Sequence, residues 1–94
     1  MHNIVEIEKE KVHNLVFPNS DVLMDAQAKL ERSWALHKAT ALGNLEKQKV
    51  VIVFEDSLGI KKVNTTIWAI TEQNIILKAG RTIPIQRVHS VHLV

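Results

Sequence analysis

The stretch VVIVFEDSLGIKK, residues 50–62, decides how this chain folds. Val50 to Phe54 is apolar without alternation, the pattern of a strand covered on both faces and therefore central in its sheet. Asp56-Ser57-Leu58-Gly59 follows, with Asp at the first and Gly at the last turn position, which is the chemistry of a tight hairpin carrying a bulge. The strand beginning at Ile60 is thus expected to pair directly with the one ending at Glu55.

Towards the C-terminus the same reading continues without room for a helix. Ile60 to Thr71 starts with Lys61, Lys62, Asn64 and Thr66 outside and ends with Trp68 and Ile70 on the side of that polar row. A strand whose outer face turns apolar midway is entering a second layer, as at the corner of a barrel. Glu72-Gln73-Asn74 and Ala79-Gly80-Arg81 supply short turns, and Gly80 is free to take positive φ. Ile83 and Ile85 alternate, whereas the apolar set then resumes at Val88, Val91 and Leu93, so an irregular turn or bulge is expected between 86 and 90. Pro84 lacks an N–H and belongs on an edge or at an unpaired ladder position. Residues 49–94 therefore read as five strands, VVIVFED, IKKVNTTIWAIT, NIILK, TIPIQR and HSVHLV, in a strongly bent antiparallel sheet or small open barrel.

Towards the N-terminus, Asn19, Ser20 and Asp21 offer side-chain oxygens to the free N–H groups of a helix start, and Gly43-Asn44 offers a left-handed end, which predicts a helix over 21–42. At 100° per residue, Leu23, Ala26, Leu30, Trp34, His37 and Ala41 share a face, read as the stripe covering the sheet. Met24, Ala28, Ala35, Ala39 and Leu42 cluster opposite, with small side chains that admit close approach, and read as the face for a second layer. Its occupant is either the chain's own residues 4–17 or the same helix of another subunit. Residues 1–18 are an edge strand or a charged arm, in which Leu15, Val16 and Phe17 precede Pro18 in an extended lead-in. The fold class is α+β in one domain, residues 1–94.

Composition bounds the function. A chain of 94 residues with 46% hydrophobic content supports one core. Without cysteine there is no disulfide scaffold or thiolate chemistry, and a reducing, cytoplasmic setting is expected. No stretch approaches the roughly 18 apolar residues of a membrane span, and the N-terminus is not that of a secretory leader. Residues 1–46 carry five Lys or Arg against seven Asp or Glu, and residues 47–94 carry seven against three, so the sheet half is basic.

The helix, the VVIVFEDSLGIKK hairpin, the long strand ending in TIWAIT, then NIILK and the closing pair IPIQR and HSVHLV together resemble an Sm-like small barrel over residues 21–94. This fold serves RNA-binding rings and small bacterial proteins that bind other proteins. The resemblance implies a nucleotide pocket near Asn74 and Arg87, although Gln86-Arg87-Val88 stands where the family carries an Arg-Gly or Lys-His pair and Ile70 where it carries an Asp.

Chemistry-bearing residues are sparse. His2, His13, His37, His89 and His92 are scattered, and the odd spacing of His89 and His92 sends them to opposite faces of a regular strand, so no metal site is expected. The carboxylates form no converging pair, the serines lack a nucleophile elbow and the three glycines do not form a phosphate cradle. No cofactor and no catalysis are expected. Trp68 either caps the end of the sheet or stacks a base. The basic set Lys61, Lys62, Lys78, Arg81 and Arg87 would supply phosphate contacts. Two functions follow as expectations: a non-catalytic cytoplasmic interaction module that self-associates or binds a protein, and an Sm-like binder of RNA or single-stranded DNA.

Overall fold

Burial alternates strictly along Val50–Glu55, with Val50, Ile52 and Phe54 fully enclosed and the residues between them half-buried. In the computed structural model, which describes residues 4–94, this strand lies inside its sheet as expected. His2 and the start of the arm lie outside the described residues. The strands are β1 (Val5–Ile7), β2 (Val50–Glu55), β3 (Ile60–Thr65), β4 (Ile67–Ile70), β5 (Asn74–Leu77), β6 (Thr82–Pro84) and β7 (Val88–Leu93), and the helix is α1 (Ala26–Glu46). The architecture is α+β.

The expected single five-stranded sheet is instead two sheets. One has the order β1-β3-β2-β7 and the other β4-β5-β6, and they do not close on each other. The chain passes between them at Thr66, so the long strand predicted over 60–71 is divided there into β3 and β4. The hairpin behaves as its residues dictate: Asp56 N–H donates to the Gly59 carbonyl at 3.1 Å, and Asp56 Oδ1 accepts from the N–H groups of Leu58 and Gly59 at 2.9 and 3.0 Å. Pro84 lies in the edge strand β6. The irregularity expected between 86 and 90 is a 3₁₀ turn over Ile85–Arg87 followed by a register shift that leaves His89 between the paired residues Val88 and Ser90.

Part of the N-terminal segment is an edge strand. β1 pairs in parallel with β3, Glu6 opposite Lys62, and a 3₁₀ helix over Lys9–Asn14 then inserts Val12 into the core. Phe17 packs on Phe54 with ring centroids 6.0 Å apart. The core joins Val12, Leu36 and Ala39 to the inward residues of both sheets, among them Ile52, Phe54, Val63, Ile75, Leu77, Ile83 and Val88.

The helix departs from expectation in its ends and in its facing. It starts at Asp25, whose carboxylate accepts from Ala28 N–H at 3.2 Å, rather than at Asn19 to Asp21. It runs through Gly43 and ends at Lys47, which takes the left-handed conformation at φ 56° and donates its N–H to the Gly43 carbonyl. Gly43 is therefore a contact residue and not a terminator. A Cβ placed there would lie 2.5 Å from the Ile67 carbonyl oxygen and 3.1 Å from Thr66 Cγ2, so the helix rests directly on the bend between the sheets.

That close approach turns the small-residue face inward. Ala39 is buried with Leu36, Arg32 and Gly43, while Ala28, Ala35 and Leu42 are half-buried; Met24 precedes the helix and is exposed. The predicted core stripe faces outward instead, with Leu30 64% and Trp34 68% exposed and His37 and Ala41 also exposed. The inward face is set by Gly43, whose approach to Thr66 and Ile67 leaves no room for a Cβ; Ala39, Leu36 and Arg32 follow it inward, and the predicted stripe is left outside.

Candidate functional site

Two of the chain's cations are structural. Arg32, 8% exposed, forms a fork with Asp21, NH1 to Oδ1 at 2.9 Å and NH2 to Oδ2 at 2.8 Å, and donates to the Val88 carbonyl at 3.1 Å. Arg87, 5% exposed, donates from Nε to the Glu55 carbonyl at 2.9 Å and from NH1 to the Ser20 carbonyl at 2.8 Å. Glu55 Oε1 also lies 2.8 Å from His89 Nε2. Together these contacts fasten the lead-in segment before the helix to the end of the sheet. The Arg32 hydrogen bonds hold the Asp21 carboxyl below its ordinary pKa against the opposing effect of burial.

The basic set expected to meet phosphate is accordingly dispersed. Arg87 is removed from it, because its guanidinium is enclosed and engaged by backbone carbonyls. Lys61 is removed as well: its Nζ reaches Asp56 Oδ1 at 3.1 Å and Oδ2 at 3.2 Å. Burial would raise the Asp56 pKa, but the Leu58 N–H, the Lys61 ammonium and the Gly59 N–H outweigh it and hold the carboxyl down. Lys62 is half-buried on β3. Asn74 and Arg81 line a separate recess of ≈ 300 Å³ with Val12, His13, Leu15 and Pro84. The pairing of Asn74 with Arg87 implied by the resemblance is not brought about in any described recess.

Trp68 and Lys78 do come together, in company the sequence did not suggest. They line a recess of ≈ 500 Å³ with Lys47, Lys49, Asn44, Thr66 and Gly43. Trp68 is 48% exposed. No carboxylate lines this recess, and among the described residues none of its three lysines takes part in an ion pair. Each lysine is fixed at its backbone. Lys47 is the left-handed cap of α1, Lys49 accepts from Val94 N–H at 3.3 Å beside the start of β2, and Lys78 N–H donates to the Thr66 carbonyl at 2.9 Å. The turn after Lys78 is forced by positive φ at Ala79 and Gly80, 72° and 82°. Lys47-Gln48-Lys49, directly between α1 and β2, was the sequence signal for this cluster.

On the outer face of α1, Leu30, Trp34 and Leu45 are exposed along one stripe. Lys38 Nζ lies 5.3 Å from the Trp34 ring centroid, and His37 Nδ1 donates to the Ser33 carbonyl at 2.8 Å. His37 is thus a hydrogen-bonded surface residue rather than part of a core stripe. Among the described residues, no group of three or more His, Cys, Asp or Glu is placed to hold a metal ion, and no helix is long and apolar enough to cross a membrane. Comparisons with protein-family models, with curated proteins and with solved structures found no significant match.

Proposed function

We propose that this protein is a non-catalytic interaction module of the cytoplasm that self-associates through the outward face of α1. The observation carrying this reading is the exposure of Leu30 and Trp34 on a helix whose opposite face is already seated on its own sheet. Large apolar side chains left in water on one stripe mark an interaction surface, and tryptophan is the residue type most enriched at the centres of such contacts.

A second copy suits the stripe because the stripe is self-complementary. In an antiparallel pair of α1 helices with the two-fold axis between His37 and Lys38, Leu30 meets Leu45 and Trp34 meets Ala41. The large ring opposes a small residue at both symmetric positions, over a helix length of roughly 22 Å. The absence of cysteine favours a reducing compartment. The Sm-like small barrel is retained within this proposal as the finer description of the fold; its support is the strand order and the bend shared by two sheets at Thr66.

Analytical ultracentrifugation of the parent, of Leu30→Glu/Trp34→Glu and of Ala35→Glu/Ala39→Glu tests the reading. The parent should sediment as a dimer and the first variant as a folded monomer with unchanged circular dichroism. The second variant should lose its fold, since Ala39 is enclosed. A parent that remains monomeric at concentrations of about 100 μM, well above a micromolar Kd, removes self-association.

A further inference from the structure

We infer that the recess around Trp68 binds single-stranded nucleic acid, with one base against the indole and the neighbouring phosphates on Lys47, Lys49 and Lys78. Of the nucleic-acid-binding residues read from the sequence this site keeps only Trp68 and Lys78, and it is independent of the helix stripe described above.

Three observations converge on it. The first is chemical: a half-exposed indole shares one recess with three lysines, none of which takes part in an ion pair among the described residues, and no carboxylate lines that recess. A π-face for stacking and cations for the backbone are the two components that sequence-tolerant single-strand binders combine. An acidic protein segment would use the lysines and leave the indole without a role, whereas an apolar partner would use the indole and leave the lysines desolvated.

The second is mechanical. The floor of the recess is the tight packing of Gly43 on Thr66 and Ile67, and each lysine is anchored to that frame by a backbone hydrogen bond or cap. Rigid elements hold a binding constellation more accurately than a free loop does. The third is conformational. Lys47 occupies the left-handed region, where glycine or asparagine would be more comfortable. That conformation, locked by the cap hydrogen bond to the Gly43 carbonyl, fixes the point at which the Lys47 side chain joins the recess. The helix C-terminus itself disfavours an anion; the N–H groups of Lys47 and Gln48 engage the Gly43 and Leu42 carbonyls, and the charges of the three lysines must outweigh what remains.

The test is fluorescence anisotropy with 5′-labelled decamers of uridine and of deoxythymidine from about 25 to 300 mM salt, with tryptophan emission recorded in parallel. The parent should bind saturably, and log Kd should rise with log salt at a slope of about 2, as expected for three phosphates neutralised on a single strand. Trp68→Ala should weaken binding roughly 10-fold or more and abolish the emission change, since Trp34 alone then emits. Lys47→Ser/Lys49→Ser/Lys78→Ser should remove most of the salt slope. Both variants should melt with the parent, because these side chains are exposed. Tighter binding of the uridine decamer assigns RNA, and equal binding assigns either strand chemistry. Absence of binding at 25 mM salt, a slope unchanged in the triple variant, an unchanged affinity in Trp68→Ala, or displacement by polyglutamate at equal charge would each overturn the inference.

Discussion

The two basic ends of this molecule make opposite use of the same charge. At one end Arg32 and Arg87 are enclosed and meet carbonyls, Asp21 and Glu55 in a planar, directed geometry. At the other, Lys47, Lys49 and Lys78 line a recess with the Trp68 indole, and among the described residues none of them takes part in an ion pair. The difference follows from the side chains. A guanidinium offers five donors in a fixed fork and loses less on leaving water, whereas an ammonium is a compact, strongly hydrated charge that is best left accessible. The arginine end contributes to folding, and the lysine end is available to a ligand.

The comparison fails at once if the arginines prove dispensable. Arg87→Met should cost about 3 kcal/mol or more in urea denaturation, because it strips partners from the Glu55 and Ser20 carbonyls and from the Glu55 carboxylate. Arg87→Lys should not restore the loss, since one ammonium cannot span those acceptors. A smaller effect is expected from acid. Asp21 and Asp56 are held below their ordinary value of 3.8 in the folded state. The stability they contribute is therefore complete above that value and is lost as the pH falls through their folded values. Urea midpoints measured from pH 7 downward should decline in that acid window, and Asp56→Asn should flatten the decline. The smallest effect belongs to the lysine end, where Lys47→Ser, Lys49→Ser and Lys78→Ser should each change stability by less than about 0.5 kcal/mol. A large loss there would mean that these lysines hold the fold as the arginines do.

The strands were legible because their signals are local. The apolar run Val50 to Phe54, the Asp56 to Gly59 turn and the broken period after Ile85 each correspond to a feature of the backbone. The helix was legible as an element, displaced from 21–42 to Ala26–Glu46, but its orientation depended on a contact distant in sequence. Gly43 near the end of an apolar pattern reads as a stop, and only the approach of the Ile67 carbonyl shows that it is a point of contact. Once the small residues face the sheet, Leu30 and Trp34 must face water, so a reading that assigns the largest apolar side chains to the core inverts the helix. The candidate site suffered likewise. Arginines in the sheet half read as surface charge, and Lys47 and Lys49 lie about twenty residues from Trp68, joined to it only by the packing of α1 on β4.

The parallel pairing of β1 with β3 also imposes an order of assembly. Residues 5–7 leave the ribosome before their partners at 61–63, and the cavity that receives Val12 is lined largely by residues made after it. The arm must wait as an unpaired strand, the state in which edges recruit other chains. Its alternation of Ile and Val with Glu and Lys keeps it soluble meanwhile, and it docks only after β3 has been made.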